Sequence, residues 1–156
     1  MTEISFEVFK MTTTLGSTLM KSYRSLHVFL YHISHGKVGG SINGSPLLLL
    51  TVIGRKSGQA HTIPLAYVQH DGEYLISASA AGADKNPVWF LNLTNQPEAR
   101  IEVKGKVYHV KVTVTAGAER DRLYALFKAQ GRNFAEYERK TARRIPVIRL
   151  QPIAMA

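Results

Sequence analysis

The sequence predicts a mainly β fold, a small barrel of antiparallel strands with helices attached to it. Apolar runs rich in β-forming residues succeed one another from residue 46 onward, and turns that contain glycine separate them. Strands joined by such short turns pair antiparallel, and several of them can close into a barrel. With 156 residues and 45% hydrophobic content, the chain can bury the core of one domain.

Strand and helix signals follow one another in a simple order. The predicted strands lie at residues 46–54, 61–69 and 74–80, in a hairpin about residues 104–106, and in the closing run "RIPVIRL". Between them, a short helix opens at Asn86 and Pro87, and a longer one covers residues 118–130. The apolar stripe of the longer helix consists of Leu123, Leu126 and Phe127. We divide the chain into a helical segment, residues 1–40, and a barrel domain, residues 41–156.

The chain opens with a helical stretch, predicted from about residue 6 to residue 34. The stripe that we predict to face the core is formed by Leu19, Tyr23, Leu26, Leu30 and Ile33. Val28 and Tyr31 lie nearly opposite, beside Lys21 and Arg24. Two interpretations of this second face stay open: scattered surface aromatics, or a face that lies against a membrane surface or the partner subunit of a homodimer.

The composition limits the partners and the compartment. Twenty Lys and Arg residues against eleven Asp and Glu residues give a formal charge of +9, which favours anionic partners such as phosphates, polycarboxylates, acidic lipid or nucleic acid. The absence of cysteine excludes disulfides and thiolate chemistry, and the first residues match neither a signal peptide nor a membrane span. We therefore expect a cytoplasmic protein, with attachment to the cytoplasmic face of a membrane as the alternative.

The turn after the first predicted strand is rich in hydrogen-bond donors. In "GRKSGQAHTIPL", residues 54–65, Arg55, Lys56 and Ser57 lie between two glycines. A plain hairpin turn needs only a glycine or an asparagine, so this donor set exceeds what the turn requires. Cations and hydroxyls donate strong hydrogen bonds to oxyanions, and the turn therefore predicts an anion-binding site.

A second loop carries a similar signal. In "SASAAGADKNPVW", small residues end a strand, Gly82 follows, and a helix opens at Asn86 and Pro87. Backbone N–H groups and a helix N-terminus at such a place would let an anion or a planar ring dock closely, and Lys85 adds a charge. The alternative is a plain strand-to-helix connection that uses Gly82 for its turn, with Trp89 only packing.

Three stretches of the sequence resemble the deazaflavin-dependent nitroreductase family, which includes quinone reductases that use reduced coenzyme F-420. They are "LLLTVIGRKSGQAHTIPLAYV", "LISASAAGADKNPVWFLNLTNQPEARIEVKG" and "AEYERKTARRIPVIRL". The resemblance implies an α+β split β-barrel of the kind that binds FMN, with an N-terminal helix and flanking helices. It also implies an oxidoreductase that passes hydride from the reduced deazaflavin to a quinone, a nitroaromatic or another activated acceptor, often as a dimer and sometimes near membranes.

The same resemblance implies which residues would bind the coenzyme. Those for the phosphate and the acidic oligoglutamate tail are Arg55, Lys56, Ser57, Gly58 and His61, the last at a position where many members carry arginine or lysine. Those for the ring and its surroundings are Pro64, Leu65, Ala78, Ser79, Ala80, Gly82, Lys85, Asn86, Pro87, Trp89 and Asn92.

The sequence departs from the family pattern at several positions. Asn86 stands where the family usually has histidine, and Phe90 stands where it usually has tyrosine. "SAAG" replaces the commoner "SKGG", so Ala80 lacks a cation that could touch the phosphate. These departures leave open an FMN-binding split-barrel oxidoreductase, or a non-catalytic module that binds a cofactor or associates with a membrane.

Tyr137 and Ser79 are the candidates for contact with a small-molecule hydride acceptor. Hydride transfer is the cofactor's own reaction, so the protein must position ring and acceptor and shield them from water. Tyr137 would donate a hydrogen bond or a proton to the reduced acceptor oxygen, and Ser79 would hydrogen-bond the ring or the acceptor. The alternatives are a tyrosine that only packs on an amphipathic helix and a serine that satisfies its own backbone.

Two other patterns carry weaker signals. His32 and His35 are three residues apart on a predicted helix, which permits metal ligation, but no third ligand lies nearby in sequence. We therefore predict no metal site. The run "ERKTARRIPVIR" is basic, yet it lacks the interleaved aromatics of a base-stacking surface, and we predict no nucleic-acid partner.

Overall fold

A computed structural model describes residues 20–156, within which seven strands and four α-helices occur. The strands are β1 (Ser41–Ile42), β2 (Ser45–Ile53), β3 (Ala60–His70), β4 (Glu73–Ser77), β5 (Glu98–Val103), β6 (Lys106–Val114) and β7 (Val147–Met155). The helices are α1 (residues 20–33), α2 (Val88–Leu93), α3 (Gly117–Gln130) and α4 (Arg132–Lys140), and a 3-10 turn covers Ala80–Gly82. The predicted helix before residue 20, with Leu19, lies outside the described residues.

Six of the strands close into an antiparallel barrel. Their order is β2-β3-β4-β7-β6-β5, and β5 pairs back with β2 through residues 100–102 opposite residues 49–51. All the pairings are antiparallel. Helices α1, α3 and α4 pack on the outside, so the predicted split β-barrel with flanking helices is confirmed.

Tight turns with two left-handed residues set three of the hairpins. They are Asn43–Gly44, Asp71–Gly72 and Lys104–Gly105, with φ between 48° and 80°. Such turns match the right-handed twist of the strands that they join. The last two turns were predicted. The first joins β1 to β2, and β1 was not predicted although Asn-Gly is a strong hairpin signal.

Strand β2 is buried on both faces, as its continuous apolar sequence predicts. Leu48, Leu50 and Val52 point into the barrel, where they pack in its main core. Leu47 and Leu49 point outward and pack beneath α1. Full burial of one such side chain contributes about 1.5–3 kcal/mol to folding, so both faces of β2 stabilise the fold.

The two halves of strand β3 pair with different neighbours. Residues 67–70 pair with β4, whereas residues 60–66 pair with β2 alone. Strand β4 is too short to cover the first half, because it ends at Ser77. The sheet is therefore split beside residues 60–66, and Pro64 lies in this free edge, where its missing N–H removes no hydrogen bond with a second neighbour.

Helices α3 and α4 cover the outer face of β4 and β7 with a second core. Leu123 and Phe127 are buried there and Leu126 is partly buried, which confirms the predicted stripe of α3. The hydroxyl of Tyr124 donates a 2.8 Å hydrogen bond to the carbonyl oxygen of Phe134, and burial raises the pKa of Tyr124 to about 12. This bond fixes α4 against α3.

The prediction that Tyr23, Leu26 and Ile33 face the core is wrong, because these side chains are 70%, 55% and 56% exposed. Val28 and Tyr31, on the opposite side of α1, face the barrel instead. Helical periodicity identifies an apolar face, but it does not tell which of two such faces meets an apolar partner. Among residues 20–156, no helix has the length and apolar character needed to cross a membrane.

Tyr31 fixes α1 to the barrel. Its side chain is fully buried, and burial raises its pKa. Its hydroxyl donates to the carbonyl oxygen of Leu47 at 2.9 Å and accepts from the N–H of Lys104 at 3.1 Å. One side chain thus joins α1 to β2 and to the turn between β5 and β6. Nearby, His32 Nδ1 lies 2.8 Å from Glu102 Oε2.

We expect Tyr31→Phe to lower the free energy of unfolding by about 1–3 kcal/mol, because the buried Leu47 carbonyl oxygen would lose this donor and the partly buried Lys104 N–H would lose its acceptor. Urea denaturation measures the change. Tyr23→Phe removes an exposed hydroxyl from the same helix and should stay within about 0.5 kcal/mol of the wild type. Equal stability of Tyr31→Phe and the wild type would show that the hydroxyl does not anchor α1.

Candidate functional site

A cavity of about 520 Å³ opens beside the free edge of β3. Its walls come from α1, the free edge of β3, the loop after β4, the start of α2 and helix α4. The volume lies within the range of about 300–1,000 Å³ that is usual for cofactor and small-molecule sites. The split in the barrel therefore places a ligand-sized space where the sequence analysis expected the ring.

The wall on the barrel side is apolar. Ile63, Pro64 and Leu65 of β3 line it, together with the half-buried Trp89 of α2. The Trp89 ring meets Phe90 edge-on, with the ring centroids 6.2 Å apart and the planes at 88°. Such a wall offers an uncharged surface to a planar ring and few groups that compete for hydrogen bonds.

The loop after β4 has a strained backbone. Ala80, Ala81 and Gly82 have φ values of 46°, 53° and 80°, three left-handed residues in succession. Each left-handed alanine costs about 1–2 kcal/mol relative to a right-handed one. Ser79 before them is right-handed, and a right-handed residue followed by a left-handed one directs successive N–H groups to one side, where an anion can bind.

Arg143, in the connection between α4 and β7, holds this loop. Its guanidinium donates to the carbonyl oxygens of Ala78 at 3.0 Å, Ser79 at 2.8 Å and Ala83 at 2.7 Å, and to Oδ1 of Asn86 at 2.8 Å. Hydrogen bonds from a charged donor contribute about 1.5–3 kcal/mol each, so four of them outweigh the strain of two left-handed alanines. Desolvation lowers the pKa of the guanidinium from a value far above neutrality, and it stays charged.

Helix α4 forms the wall opposite β3. Phe134 is buried and Tyr137 is half-buried, with their rings edge-on and the centroids 5.8 Å apart. The Tyr137 hydroxyl has no hydrogen-bond partner within residues 20–156, so it is free to donate to a ligand. The loop lies close against this helix, because a Cβ on Gly82 would come within 3.0 Å of the Tyr137 carbonyl oxygen.

Helix α1 adds positive charge to the cavity. Lys21, Arg24 and His27 line it from one face of the helix, and that face continues into the buried Tyr31. No aspartate or glutamate of the described chain lines the cavity, and neither Lys21 nor Arg24 forms an ion pair within residues 20–156. The charge of the cavity wall is therefore positive.

The donor-rich turn after β2 is held against α2. Both the backbone N–H and Nη1 of Arg55 donate to Oδ1 of the buried Asn92, at 3.2 and 2.9 Å. Ser57 Oγ accepts from the Gln59 N–H at 3.3 Å, which shapes the turn. The side chain of Lys56 is exposed and has no partner in residues 20–156. The hydrogen bonds to the buried Asn92 thus fix the turn, and its remaining donors face solvent.

The structure brings some of the predicted site residues into the cavity and leaves others outside its lining. Those that line it are Pro64, Leu65, Ser79, Ala80, Trp89 and Tyr137. Those on the exposed turn and at the start of β3 are Arg55, Lys56, Ser57, Gly58 and His61. Those in or beside the connection to α2, outside the lining, are Ala78, Gly82, Lys85, Asn86, Pro87 and Asn92. Of these, Asn86 and Asn92 use their side-chain oxygens to hold Arg143 and Arg55.

Sequence reasoning missed two sets of residues. Lys21 and Arg24 were placed beside Val28 and Tyr31, and helical spacing shows that these four share a face, but not that this face meets the barrel and the cavity. Arg143 was treated only as part of the basic run "ERKTARRIPVIR". No local pattern distinguishes it from its neighbour Arg144, because its partners lie 57–65 residues earlier in the chain.

His32 of α1 and His35, which follows the helix, do not form part of a metal site among residues 20–156. His32 contacts Glu102, and His35 adopts a left-handed φ of 53° in the turn after the helix. Within residues 20–156, no group of three His, Cys, Asp or Glu side chains is placed to hold a metal ion.

Comparison with known proteins gives the family. The profile of the F-420H(2)-dependent quinone reductase family matches residues 23–152, from α1 to β7. The chain belongs to this family. An F-420H(2)-dependent quinone reductase of Mycobacterium tuberculosis is 33% identical over 127 residues, which are 79% of this chain and 85% of that protein.

Solved structures of related proteins share the fold. An F-420H(2)-dependent reductase, FDR-A, has a TM-score of 0.63 and 33% identity, covering 68% of this chain and 94% of its own. A second solved structure, described only as a domain-swapped dimer, has a TM-score of 0.65 and 28% identity, covering 85% of this chain and 98% of its own. The quinone reductase family matches nearly the whole barrel, which confirms the resemblance found in the sequence.

Membership makes the chain a coenzyme F-420-dependent oxidoreductase. The dependence of the family on reduced F-420 implies that coenzyme, and the comparisons give no support to FMN as the alternative. A family of enzymes also favours an oxidoreductase over a non-catalytic module.

Proposed function

We propose that this F-420-dependent reductase transfers a hydride from reduced coenzyme F-420 to a quinone, and that both bind in the cavity beside β3. The observation that carries the proposal is the cavity itself. Residues predicted to contact the ring and residues predicted to contact the acceptor line one space of about 520 Å³. A reaction between two bound molecules needs both sets in one place.

The residues of the cavity fit a flat ring that ends in an anion. Pro64, Leu65 and Trp89 supply the apolar surface, and the left-handed loop at Ala80 and Ala81 supplies close backbone. When bound, the reduced coenzyme supplies the hydride. The part left to the chain is to bind the ring, orient it and keep water away from it.

Two sets of cations support binding of the phosphate and the oligoglutamate tail. Arg55 and Lys56 lie on the turn after β2, where Asn92 holds Arg55 and leaves its other N–H groups available. Lys21 and Arg24 lie on the cavity face of α1. Each set can donate charge-assisted hydrogen bonds to oxyanions, and among residues 20–156 no acid lines the cavity to compete for the second set.

Tyr137 and Ser79 are the proposed contacts of the acceptor. Reduction of a quinone by hydride leaves negative charge on a carbonyl oxygen, and that oxygen takes up a proton to give the hydroquinone. The Tyr137 hydroxyl, which has no hydrogen-bond partner among the described residues 20–156, can donate this hydrogen bond or proton, and solvent can restore the proton. Ser79 lies at the loop and can hydrogen-bond the acceptor or the ring.

The departures from the family pattern leave this arrangement in place. Asn86 accepts from Arg143 and so supports the loop. Phe90 is buried in the barrel core and does not line the cavity. The cavity wall therefore loses no hydroxyl through the replacement of the family's usual tyrosine by Phe90. Ala80 carries no cation, but Lys21 and Arg24 bring positive charge to the same cavity.

A nitroaromatic acceptor would use the same apolar walls, and the family favours the quinone. The homodimer and membrane contacts expected of α1 stay predictions. Leu26 and Ile33, which are exposed and lie outside the cavity lining, belong to the surface that either contact would cover.

We expect the purified protein to bind oxidised F-420 and to oxidise reduced F-420 when a quinone is added, and to bind FMN at least about 10-fold more weakly, a difference of about 1.4 kcal/mol. Fluorescence titration measures binding, and loss of the reduced coenzyme with and without quinone measures turnover. Tight FMN binding would contradict the coenzyme assignment. Binding of F-420 without quinone-dependent oxidation would contradict the proposed reaction.

We expect Lys21→Ala with Arg24→Ala, and separately Arg55→Ala with Lys56→Ala, to weaken F-420 binding about 3- to 10-fold at low salt and to reduce its salt dependence. Binding of the deazaflavin chromophore without phosphate and tail should change less. Lys106→Ala with Lys111→Ala removes two exposed cations of β6 outside the cavity lining and serves as the matched control. If a double variant lost no more F-420 affinity than this control, its two cations would not belong to the coenzyme site.

We expect Tyr137→Phe to lower kcat with quinone about 10-fold or more and to leave F-420 affinity within about twofold, because only the hydroxyl is lost. Steady-state kinetics and fluorescence titration give the two numbers. An unchanged kcat would show that another donor or water protonates the acceptor. A parallel fall in coenzyme affinity would assign Tyr137 to coenzyme binding instead.

A further inference from the structure

We propose that Arg143 is a positioning residue, which holds the loop of residues 78–86 in the left-handed shape that receives the coenzyme. The inference rests on the proposed function, since it assigns the loop a ligand. It concerns a side chain that does not line the cavity. Arg143 lies in the third stretch that carries the resemblance, but it was not among the residues predicted to bind the coenzyme or the acceptor.

The geometry places the guanidinium inside the bend of the loop. It contacts residues on both sides of the bend: Ala78 and Ser79 before it, and Ala83 and Asn86 after it. All four contacts use oxygens as acceptors. The C=O of one residue and the N–H of the next point in opposite directions, so the Ala78 and Ser79 carbonyls that turn toward Arg143 direct the N–H groups of Ser79 and Ala80 away from it. The N–H groups of Gly82 and Ala83 donate within the loop.

The residues between these contacts are the ones that need support. Ala80 and Ala81 are left-handed without being glycine, and both line the cavity. Alanine on its own prefers a right-handed or extended backbone, so without its contacts the loop would relax away from the observed shape. The planar fork of arginine can satisfy several acceptors at once, whereas lysine offers one point charge.

The second support of the loop is helix α4. Gly82 is buried against it, and a Cβ there would lie 2.8 Å from Cβ of Lys140. Arg143 follows α4 by three residues, so the same segment of chain carries Tyr137 to one side of the cavity and clamps the loop on the other. The distance between coenzyme loop and acceptor wall is therefore set by one short piece of chain.

The test compares Arg143→Ala, Arg143→Lys and the control Arg144→Ala. Arg144 is the next arginine, and it contacts Gly117 and Asp121 but not the loop. We expect F-420 to bind about 10-fold more weakly to Arg143→Ala, less weakly to Arg143→Lys, and within about twofold of the wild type to Arg144→Ala. Amide hydrogen exchange at residues 80–83 of the protein without coenzyme should rise about 10-fold or more in Arg143→Ala only.

A compensating variant separates positioning from a general loss of stability. Glycine adopts the left-handed conformation without strain, so Ala81→Gly added to Arg143→Ala should recover about threefold of the lost F-420 affinity. The melting temperature of the double variant should stay close to that of Arg143→Ala. If Arg143→Ala does not fold, the same comparison is made in Arg143→Lys.

Unchanged exchange at residues 80–83 in Arg143→Ala would overturn the proposal, and so would equal losses of affinity in Arg143→Ala and Arg144→Ala. Failure of the wild type to bind F-420 would instead overturn the proposed function. The exchange measurement would still report whether Arg143 holds the loop, because it needs no coenzyme.

Discussion

The structure depends on a mismatch in length between two neighbouring strands. Strand β3 has 11 residues and β4 has 5, so β4 can cover only the second half of β3. An uncovered edge normally invites pairing with another strand. Here Pro64 interrupts the row of donors, and α1, α4 and the loop after β4 surround the gap without filling it. The cavity is therefore a property of the strand pairing and not of a few side chains.

Polar groups hold two elements of the candidate site: the loop after β4, which lines the cavity, and the cationic turn after β2, which lies outside the lining. Two left-handed alanines are held by Arg143, and the cationic turn after β2 is held by Asn92. In both places a buried or partly buried polar group satisfies backbone or side-chain atoms that face away from the ligand. The ligand side is left with unused donors, which is the arrangement that electrostatic preorganisation requires.

The sequence predicted the barrel well because its signals are local. Continuous apolar runs and turns such as Asp71–Gly72 fix strands and hairpins within about ten residues of chain. The site was predicted in part, since Pro64 and Trp89 belong to recognisable motifs and lie in the cavity. The orientation of α1 was not predictable in this way, because it depends on the hydroxyl of Tyr31 meeting Lys104, 73 residues away. Arg143 escaped notice for the same reason.

The anchors of α1 all lie toward one end of the helix. Tyr31 and His32 bind the barrel, and His27 Nε2 lies 2.8 Å from the carbonyl oxygen of Gly39, whereas Met20 and Tyr23 are 69% and 70% exposed. The first described turns of the helix therefore line the cavity with few bonds to the barrel within residues 20–156. Displacing this part of the cavity wall would break fewer of the described contacts than displacing β3 or α4, and the strands could stay paired.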